Sequence, residues 1–194
     1  MFFNLQIIKN IYDIMQNTVW FICFIGEGGK EVENLLGTKQ QAELIIRQYA
    51  DMIFRIACQN TGSMQDAEDI LQEVALTLLQ KDAPLYDKDY IKPWLIRVTI
   101  NKCRNLTNSA KRRKTEPLED YMHLESPCDK GIWDDIMQLH HNYRNVVYLF
   151  YYEGYSIDEI GKIMGRKPAT IGSWLYRARK KLKTIITEGG NSYE

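Results

Sequence analysis

The sequence predicts an all-α fold in which a linker joins two small helical domains, the second of which contains a helix-turn-helix. Apolar residues recur at spacings of three and four along most of the chain, the period of a buried helix face. Residues that start and stop helices follow one another between positions 155 and 183 at helix-turn-helix distances. The formal charge is zero overall, but two basic stretches flank an acidic connector. With 194 residues the chain can form two small cores.

Residues 1–37 form an atypical leader in which we identify no chemistry. The apolar run at 19–25 is far shorter than the roughly 20 residues that span a bilayer, so no stable membrane insertion is expected. Residues 26–31 must have almost purely purine codons, as a bacterial ribosome-binding site has, and Val32 fits a GTG start codon. One hypothesis is that the residues before Val32 are not translated. A native peptide spanning residues 26–39 in mass spectrometry would contradict it.

The first predicted domain, residues 38–110, begins with two helices separated by a short break. The first helix covers residues 39–60, and Gly62 and Ser63 supply a stop and a new start. The second helix buries Ala67, Ile70, Leu71, Val74 and Leu78. Its opposite side, which we call the acidic face, comprises Asp66, Asp69, Gln72, Glu73 and Leu76. Acids in a first turn complement the helix dipole, but an acidic face with one exposed leucine also suits docking on a basic partner helix.

A loop at residues 81–93 and a helix at residues 94–108 complete this domain. The residues expected to face inward are Trp94, Leu95, Val98 and Leu106. Those left for solvent or phosphate are Arg97, Asn101, Lys102 and Arg104. Aromatic rings beside a basic helix suit single-stranded nucleic acid, because bases stack on rings while cations follow the backbone. For Tyr86 and Tyr90, this interpretation and that of ordinary loop anchors are equally supported.

A linker at residues 111–130 separates the domains, and residues 187–194 form a tail. The linker starts with four cations at 111–114 and continues with prolines and a belt of acids. Two basic stretches on either side of an acidic connector predict two DNA contacts joined by a segment that avoids DNA.

The second predicted domain, residues 131–186, has helices at 132–139 and 146–152 that pack under a helix-turn-helix. Ser156 and Glu159 form a capping box at the start of its first helix. Gly165 lies where a helix ends in a left-handed residue, and Pro168 lies where the next helix tolerates a missing N–H.

The second helix of this motif sorts its residues onto two faces. Ile171, Leu175, Ala178 and Leu182 are expected to face the core. The residues predicted to contact duplex DNA are Lys167, Thr170, Ser173, Trp174, Arg177, Arg179, Lys180 and Lys181. Arg177 is the residue predicted to recognise a guanine, whereas Arg179, Lys180 and Lys183 are predicted to hold phosphates.

Cofactor, metal and enzyme chemistry are not expected. The four cysteines lie far apart, at no metal-ligand spacing, which is typical of reduced thiols in a cytoplasmic protein. The clustered acids of the acidic face have no convergent partners elsewhere in the sequence, which argues against metal-assisted catalysis.

Taken in order, these segments resemble a bacterial sigma factor of the extracytoplasmic-function type, a two-domain branch of the sigma-70 family. The resemblance covers residues 44–185. It is carried by Asp66-Ala67-Glu68-Asp69-Ile70-Leu71-Gln72-Glu73, by Trp94-Leu95-Ile96-Arg97-Val98 with Asn101, and by Tyr155-Ser156-Ile157-Asp158-Glu159-Ile160-Gly161 through Leu175-Tyr176-Arg177-Ala178-Arg179.

The resemblance implies a specificity subunit that binds core RNA polymerase and directs promoter recognition and transcription initiation. It implies that the acidic face docks on the β′ clamp helices and that the second domain contacts the β flap. It assigns promoter melting to Tyr86, Tyr90, Lys92, Arg97, Asn101 and Arg104, and duplex recognition to the helix-turn-helix. An anti-sigma factor is a common partner in the family. Gly172 and Trp174 depart from the family's usual Lys and Arg, so the promoter sequence cannot be transferred.

The alternative is a helix-turn-helix transcriptional regulator whose amino-terminal domain senses a ligand. Such a protein would share the helix-turn-helix but would need neither the acidic face nor the basic helix flanked by aromatic residues. Co-purification with core RNA polymerase distinguishes the two.

Overall fold

The computed structural model describes residues 29–80, 88–112 and 130–189, and within these ranges all regular structure is helical. The elements in chain order are α1 (Gly29–Thr61), α2 (Met64–Leu79), α3 (Lys88–Arg112), α4 (Lys130–Met137), α5 (His141–Val147), a π-helical turn (Tyr148–Tyr152), α6 (Ile157–Met164) and α7 (Pro168–Gly189). The predicted all-α class is confirmed. None of the helices described is both long and apolar enough to cross a membrane.

The chain divides into two compact units. The first comprises the chain up to Ala57 together with residues 65–102, and the second comprises residues 58–64 together with the chain from Cys103 onward. The division therefore falls near the ends of α1 and α3. The domain limits 38–110 and 131–186 stay a prediction, as does the linker, most of which lies outside the described residues.

In the first unit, α1 and α2 bury the faces that their apolar period predicts. All five residues expected to be inward on α2 are buried, and Ala75 is buried with them. Gly62 ends α1 with φ 75°, and its N–H donates to the carbonyl of Cys58 at 2.8 Å. This left-handed residue confirms the predicted break. Helix α1 begins at Gly29, ten residues before the predicted start at residue 39.

Helix α3 differs from its prediction in both its start and its buried face. It begins at Lys88, so Tyr90 and Lys92 are helical and Pro93 lies inside the helix, whereas Tyr86 lies outside the described residues. A proline near a helix start removes only the bond to an early carbonyl, which explains why the helix continues through it.

The buried face of α3 consists of Ile91, Leu95, Ile96, Thr99, Ile100 and Cys103. Leu95 was predicted correctly, but Val98 and Trp94 are only partly buried and Leu106 is exposed. Thr99 can be buried because its hydroxyl donates to the carbonyl of Leu95 at 2.8 Å.

In the second unit, α7 contacts α4, α5 and α6. Ile160 of α6 and Ile171, Leu175 and Ala178 of α7 are fully or almost fully buried, as the apolar period predicts. Where one helix at 146–152 was expected, α5 ends at Val147 and the π-helical turn follows. The N–H of Glu153 donates to the carbonyl of Tyr148 at 3.1 Å, five residues back, which is the π-helical bond.

A cluster of buried amide side chains also belongs to the second unit. Asn145 is 1% exposed, and its Oδ1 accepts from Gln59 Nε2 at 3.0 Å and from Asn60 Nδ2 at 2.8 Å. Its Nδ2 donates to Asn60 Oδ1 at 2.9 Å. The end of α1 is therefore joined to α5 by amides that satisfy one another.

Candidate nucleic-acid interface

The capping box at the start of α6 is complete. The N–H of Glu159 donates to Ser156 Oγ at 3.3 Å, and the N–H of Ser156 donates to Glu159 Oε2 at 2.8 Å. The Ser156 hydroxyl also donates to that oxygen at 2.7 Å, and these bonds hold the pKa of Glu159 below its usual value. Gly165 ends α6 with φ 63° and ψ 42°, and α7 begins at Pro168, so the predicted boundaries of the motif are confirmed.

Gly161 makes the turn between α6 and α7 tight. Its carbonyl accepts from the N–H of Arg166 at 2.9 Å, and the N–H of Gly165 donates to the same carbonyl. A Cβ at position 161 would lie 2.9 Å from the Arg166 carbonyl oxygen and 3.6 Å from the Pro168 nitrogen. The backbone thus approaches α6 where only glycine fits. The sequence analysis missed this role, because a glycine within an apolar period gives no local sign of a long-range approach.

The outward side of α7 is exposed, as the sequence predicts, but its most exposed aromatic residue is Tyr176. Among the residues predicted to contact duplex DNA, Lys167, Ser173, Arg177, Arg179, Lys180 and Lys181 are exposed, and Thr170 and Trp174 are partly buried. Tyr176 is 68% exposed and lies one helical turn beyond Ser173. The sequence analysis omitted it, although its position between two polar residues of the same face could have identified it.

Two of the predicted DNA-contacting cations already have partners within the protein. Lys181 Nζ donates to the carbonyl of Gln138 at 3.1 Å. Arg179 Nε donates to the hydroxyl of Tyr151 at 2.6 Å, and its guanidinium lies over the Phe150 and Tyr151 rings. The exposed side of α7 therefore carries cations held by other elements as well as cations on flexible side chains.

The acidic face lies on the exposed side of α2, opposite the buried residues Ile70 and Val74. Asp69, Glu73 and Leu76 are exposed, and Asp66 and Gln72 are partly exposed. Leu76 remains 42% exposed although it lies between two buried turns. The structure thus brings all five predicted residues of this face together.

Glu73 connects the acidic face to α3. Lys102 Nζ lies 3.0 Å from Glu73 Oε2, and the lysine side chain is the less exposed of the two, at 23% against 61%. An ion pair this exposed adds little stability, but it restricts where the carboxylate points. Lys102, predicted to be left for solvent or phosphate, instead neutralises one acid of this face.

On α3, an exposed stripe follows helical spacing and combines aromatic with polar side chains. It comprises Tyr90, Trp94, Arg97, Asn101 and Arg104, at successive intervals of four, three, four and three. Tyr90, Arg97 and Asn101 are exposed, and Trp94 and Arg104 are partly exposed. Trp94 was predicted to lie in the core, but the core lies one position away, at Leu95 and Ile96, so its ring joins the stripe. Lys92 flanks this α3 stripe.

Within the residues described, no group of acidic, histidine or cysteine side chains has an arrangement that could hold a metal ion. Cys58 and Cys103 are buried free thiols. Burial raises the pKa of Cys103 to about 12, which suppresses the thiolate needed for ligation or nucleophilic attack.

Comparison with protein families assigns both units. The model described as "Sigma-70 region 2" matches residues 45–113, and the model described as "Sigma-70, region 4" matches residues 133–182. The chain belongs to the sigma-70 family. It is a sigma factor of the extracytoplasmic-function type, and it directs promoter recognition and transcription initiation by RNA polymerase. The region 2 match disfavours the alternative of a regulator with a ligand-sensing domain.

Curated relatives support this assignment at modest identity. The sigma factor is similar to the extracytoplasmic-function sigma factor SigE of Mycolicibacterium smegmatis, at 29% identity over 157 residues. That alignment covers 74% of this chain and 61% of SigE. It is also 27% identical over 161 residues to SigM of Bacillus subtilis, covering 76% of this chain and 96% of SigM.

Two solved structures share the fold. The sigma factor RpoE of Bartonella quintana, bound to the anti-sigma factor NepR, aligns with a TM-score of 0.59 at 20% identity over 77% of this chain and 96% of that chain. CnrH, bound to the cytosolic domain of CnrY, aligns with a TM-score of 0.56 at 17% identity over 80% of this chain and 94% of that chain.

Proposed function

We propose that this sigma factor divides its work among three surfaces. The acidic face of α2 docks on the β′ clamp helices of core RNA polymerase, and the α3 stripe captures bases of the opened promoter. The exposed side of α7 binds the upstream promoter element as duplex, and the second unit contacts the β flap. The observation that carries the proposal is that one chain combines an exposed acidic strip, an aromatic and basic stripe, and a helix-turn-helix.

Energetics explain why the protein acts as a specificity subunit and not as an enzyme. Separating stacked base pairs costs roughly 1.4 kcal/mol per step, so a bubble of about ten steps costs on the order of 14 kcal/mol. A small helical unit with five residues in its stripe can hold only a few bases, each worth about 1–3 kcal/mol when stacked on an aromatic ring. The polymerase must supply the remainder. The protein therefore works with RNA polymerase in the cytoplasm, without a catalytic group of its own.

The docking assignment is tested by reversing one charge on the acidic face. Asp69→Lys is the sharpest variant, because Asp69 is exposed and no hydrogen bond or ion pair joins it to the other described residues. Glu73→Lys is less suitable, because it would place two cations where the Lys102 ion pair now lies.

We expect Asp69→Lys to weaken assembly with purified core polymerase at least tenfold, measured by fluorescence anisotropy, at an unchanged unfolding temperature. Glu68→Lys makes the same charge change on the edge of the same helix and is the matched control. Equal weakening by both variants would indicate a general charge effect, and wild-type assembly by Asp69→Lys would refute the docking face.

The assignment of sequence recognition to α7 is tested with Arg177 and Lys183. Arg177 lies one turn beyond Ser173 on the exposed face, where a bidentate contact to guanine is worth roughly 1–3 kcal/mol. Arg177→Ala should relax preference at one promoter position, whereas Lys183→Ala should weaken all promoters alike. Holoenzyme binding to a library of single-base promoter variants measures both. Uniform weakening by Arg177→Ala would make Arg177 a backbone contact.

We also propose that an anti-sigma factor holds this protein inactive. The support is the shared fold with RpoE and CnrH, whose structures contain NepR and the cytosolic domain of CnrY. Crosslinking of the tagged protein in its native cells, followed by mass spectrometry, should recover a protein that competes with core polymerase for binding. Recovery of polymerase subunits without such a competitor would contradict the proposal.

A further inference from the structure

We infer that Tyr151 is a positioning residue that holds Arg179 against one backbone phosphate of the duplex bound by α7. The inference rests on the proposed duplex-binding role of α7 and adds to it a residue from outside the helix-turn-helix. Tyr151 belongs to the π-helical turn that precedes α6.

The contact between the two side chains is short and well oriented. Arg179 Nε donates to the Tyr151 hydroxyl at 2.6 Å, and the guanidinium carbon lies 5.5 Å from the Tyr151 ring centroid and 5.6 Å from that of Phe150. A cation within about 6 Å of an aromatic centroid is attracted by the ring face. One hydrogen bond and two aromatic rings thus restrict the same guanidinium.

This arrangement restrains Arg179 without using up its capacity to bind. A guanidinium has N–H donors on both terminal nitrogens as well as on Nε, and only the Nε–H is committed to Tyr151. No acidic side chain pairs with Arg179 within the part of the chain that the structure describes. The fork of terminal nitrogens, which matches phosphate bidentately, therefore remains available for a ligand oxygen.

The position of Arg179 on α7 suits a phosphate better than a base edge. At about 100° per residue, Arg179 lies roughly 120° round the helix axis from Ser173, the centre of the exposed side. Tyr176 and Lys183 share this flank at helical spacing. When the central residues of a recognition helix face base edges in the major groove, its flanks face the phosphates along the groove wall.

Tyr151 acts by fixing the arginine before DNA arrives. An unrestrained arginine loses rotamer freedom when it binds, and that loss is subtracted from the affinity. Here the hydroxyl and the rings restrict the side chain on folding. The consequence should be greater affinity for every duplex, with no change in base preference.

The experiment uses holoenzyme reconstituted from the full chain and core polymerase. The probe is the duplex that wild-type holoenzyme selects from a random-sequence library, together with its single-base variants. Tyr151→Phe removes only the hydroxyl and keeps the ring. We expect it to weaken binding of all these duplexes alike, by about two- to tenfold, the usual worth of one hydrogen bond to a charged group.

A double-mutant cycle isolates the partner. Arg179→Ala should weaken binding and lower the slope of log K against log salt by about 0.9, the loss of one phosphate contact. In that background Tyr151→Phe should have no further effect. Tyr152→Phe, in the same turn and 63% exposed, is the matched control and should bind as the wild type does. Unchanged unfolding temperatures exclude a general loss of structure.

Additive effects of Tyr151→Phe and Arg179→Ala would overturn the inference, as would equal weakening by Tyr152→Phe or a change of base preference. Wild-type binding by Tyr151→Phe would overturn the inference alone and leave duplex recognition by α7 intact. If wild-type holoenzyme selects no duplex at all, the proposed function fails and the inference fails with it.

Discussion

A pair of glycines provides a decisive test of the tight turn in the helix-turn-helix. Gly161 is the fifth residue of α6 and Gly172 is the fifth residue of α7. A Cβ at position 161 would meet the Arg166 carbonyl oxygen at 2.9 Å, whereas a Cβ at position 172 has no other atom within 4 Å. The same substitution, glycine to alanine, should therefore have opposite effects on stability at the two positions.

The magnitudes follow from helix propensity and from the collision. Alanine in place of glycine inside a helix stabilises by about 0.5–1 kcal/mol, and this contribution is common to both sites. At position 161 the added methyl must displace a backbone carbonyl, and overpacking of this kind costs about 1–3 kcal/mol. Gly172→Ala should therefore raise the free energy of unfolding by up to about 1 kcal/mol, and Gly161→Ala should fall below it by about 1–3 kcal/mol.

The assay is thermal and urea unfolding of both variants, followed by circular dichroism. In a protein of this size each kcal/mol shifts the unfolding temperature by about 2–4 °C, so the two variants should be clearly separated. Transcription should fall only for Gly161→Ala if the displaced turn re-aims α7. Equal stabilisation by both substitutions would refute the reasoning, because it would mean that the backbone gives way at no cost.

Three further predictions concern the second unit. Ser156 lowers the pKa of Glu159, so this stabilisation is present above the unfolded carboxyl pKa and is lost as pH falls through the folded one. Ser156→Ala should thus cost about 1 kcal/mol at neutral pH and flatten the acid limb of a pH–stability curve. Asn145→Leu leaves the amide of Gln59 unpaired and should destabilise by about 1–3 kcal/mol in urea titrations; wild-type stability would imply that water replaces the lost bond. Cys103, with its pKa raised to about 12, should resist iodoacetamide at pH 8 until the protein is unfolded, as peptide mass spectrometry can show.

The helix-turn-helix could be predicted residue by residue because its signals are local. The capping box of Ser156 and Glu159, the left-handed Gly165 and Pro168 at the first position of α7 each act within one helical turn. Local hydrogen bonds and backbone sterics determine them, so sequence spacing is sufficient.

Features that depend on distant partners could not be predicted in this way. The face of α3 was misjudged because Trp94 and Leu106 are apolar, while the helix buries Thr99, whose hydroxyl is satisfied within its own turn. Period alone cannot tell which of two adjacent faces meets a core. Likewise, no sequence signal links Asn145 to residues 85 and 86 positions earlier in the chain.

The π-helical turn has a consequence for length variation in this part of the chain. Surface loops usually accept inserted or deleted residues, because their ends stay where the flanking elements hold them. The segment Tyr148–Tyr152 instead contains one residue more per turn than an α-helix would, and it leads directly into the helix-turn-helix. Deleting one residue would restore α-helical bonding and rotate everything that follows by about 100° with a shift of about 1.5 Å. Among homologues, we therefore expect substitutions in this turn to be common and single-residue gaps to be rare.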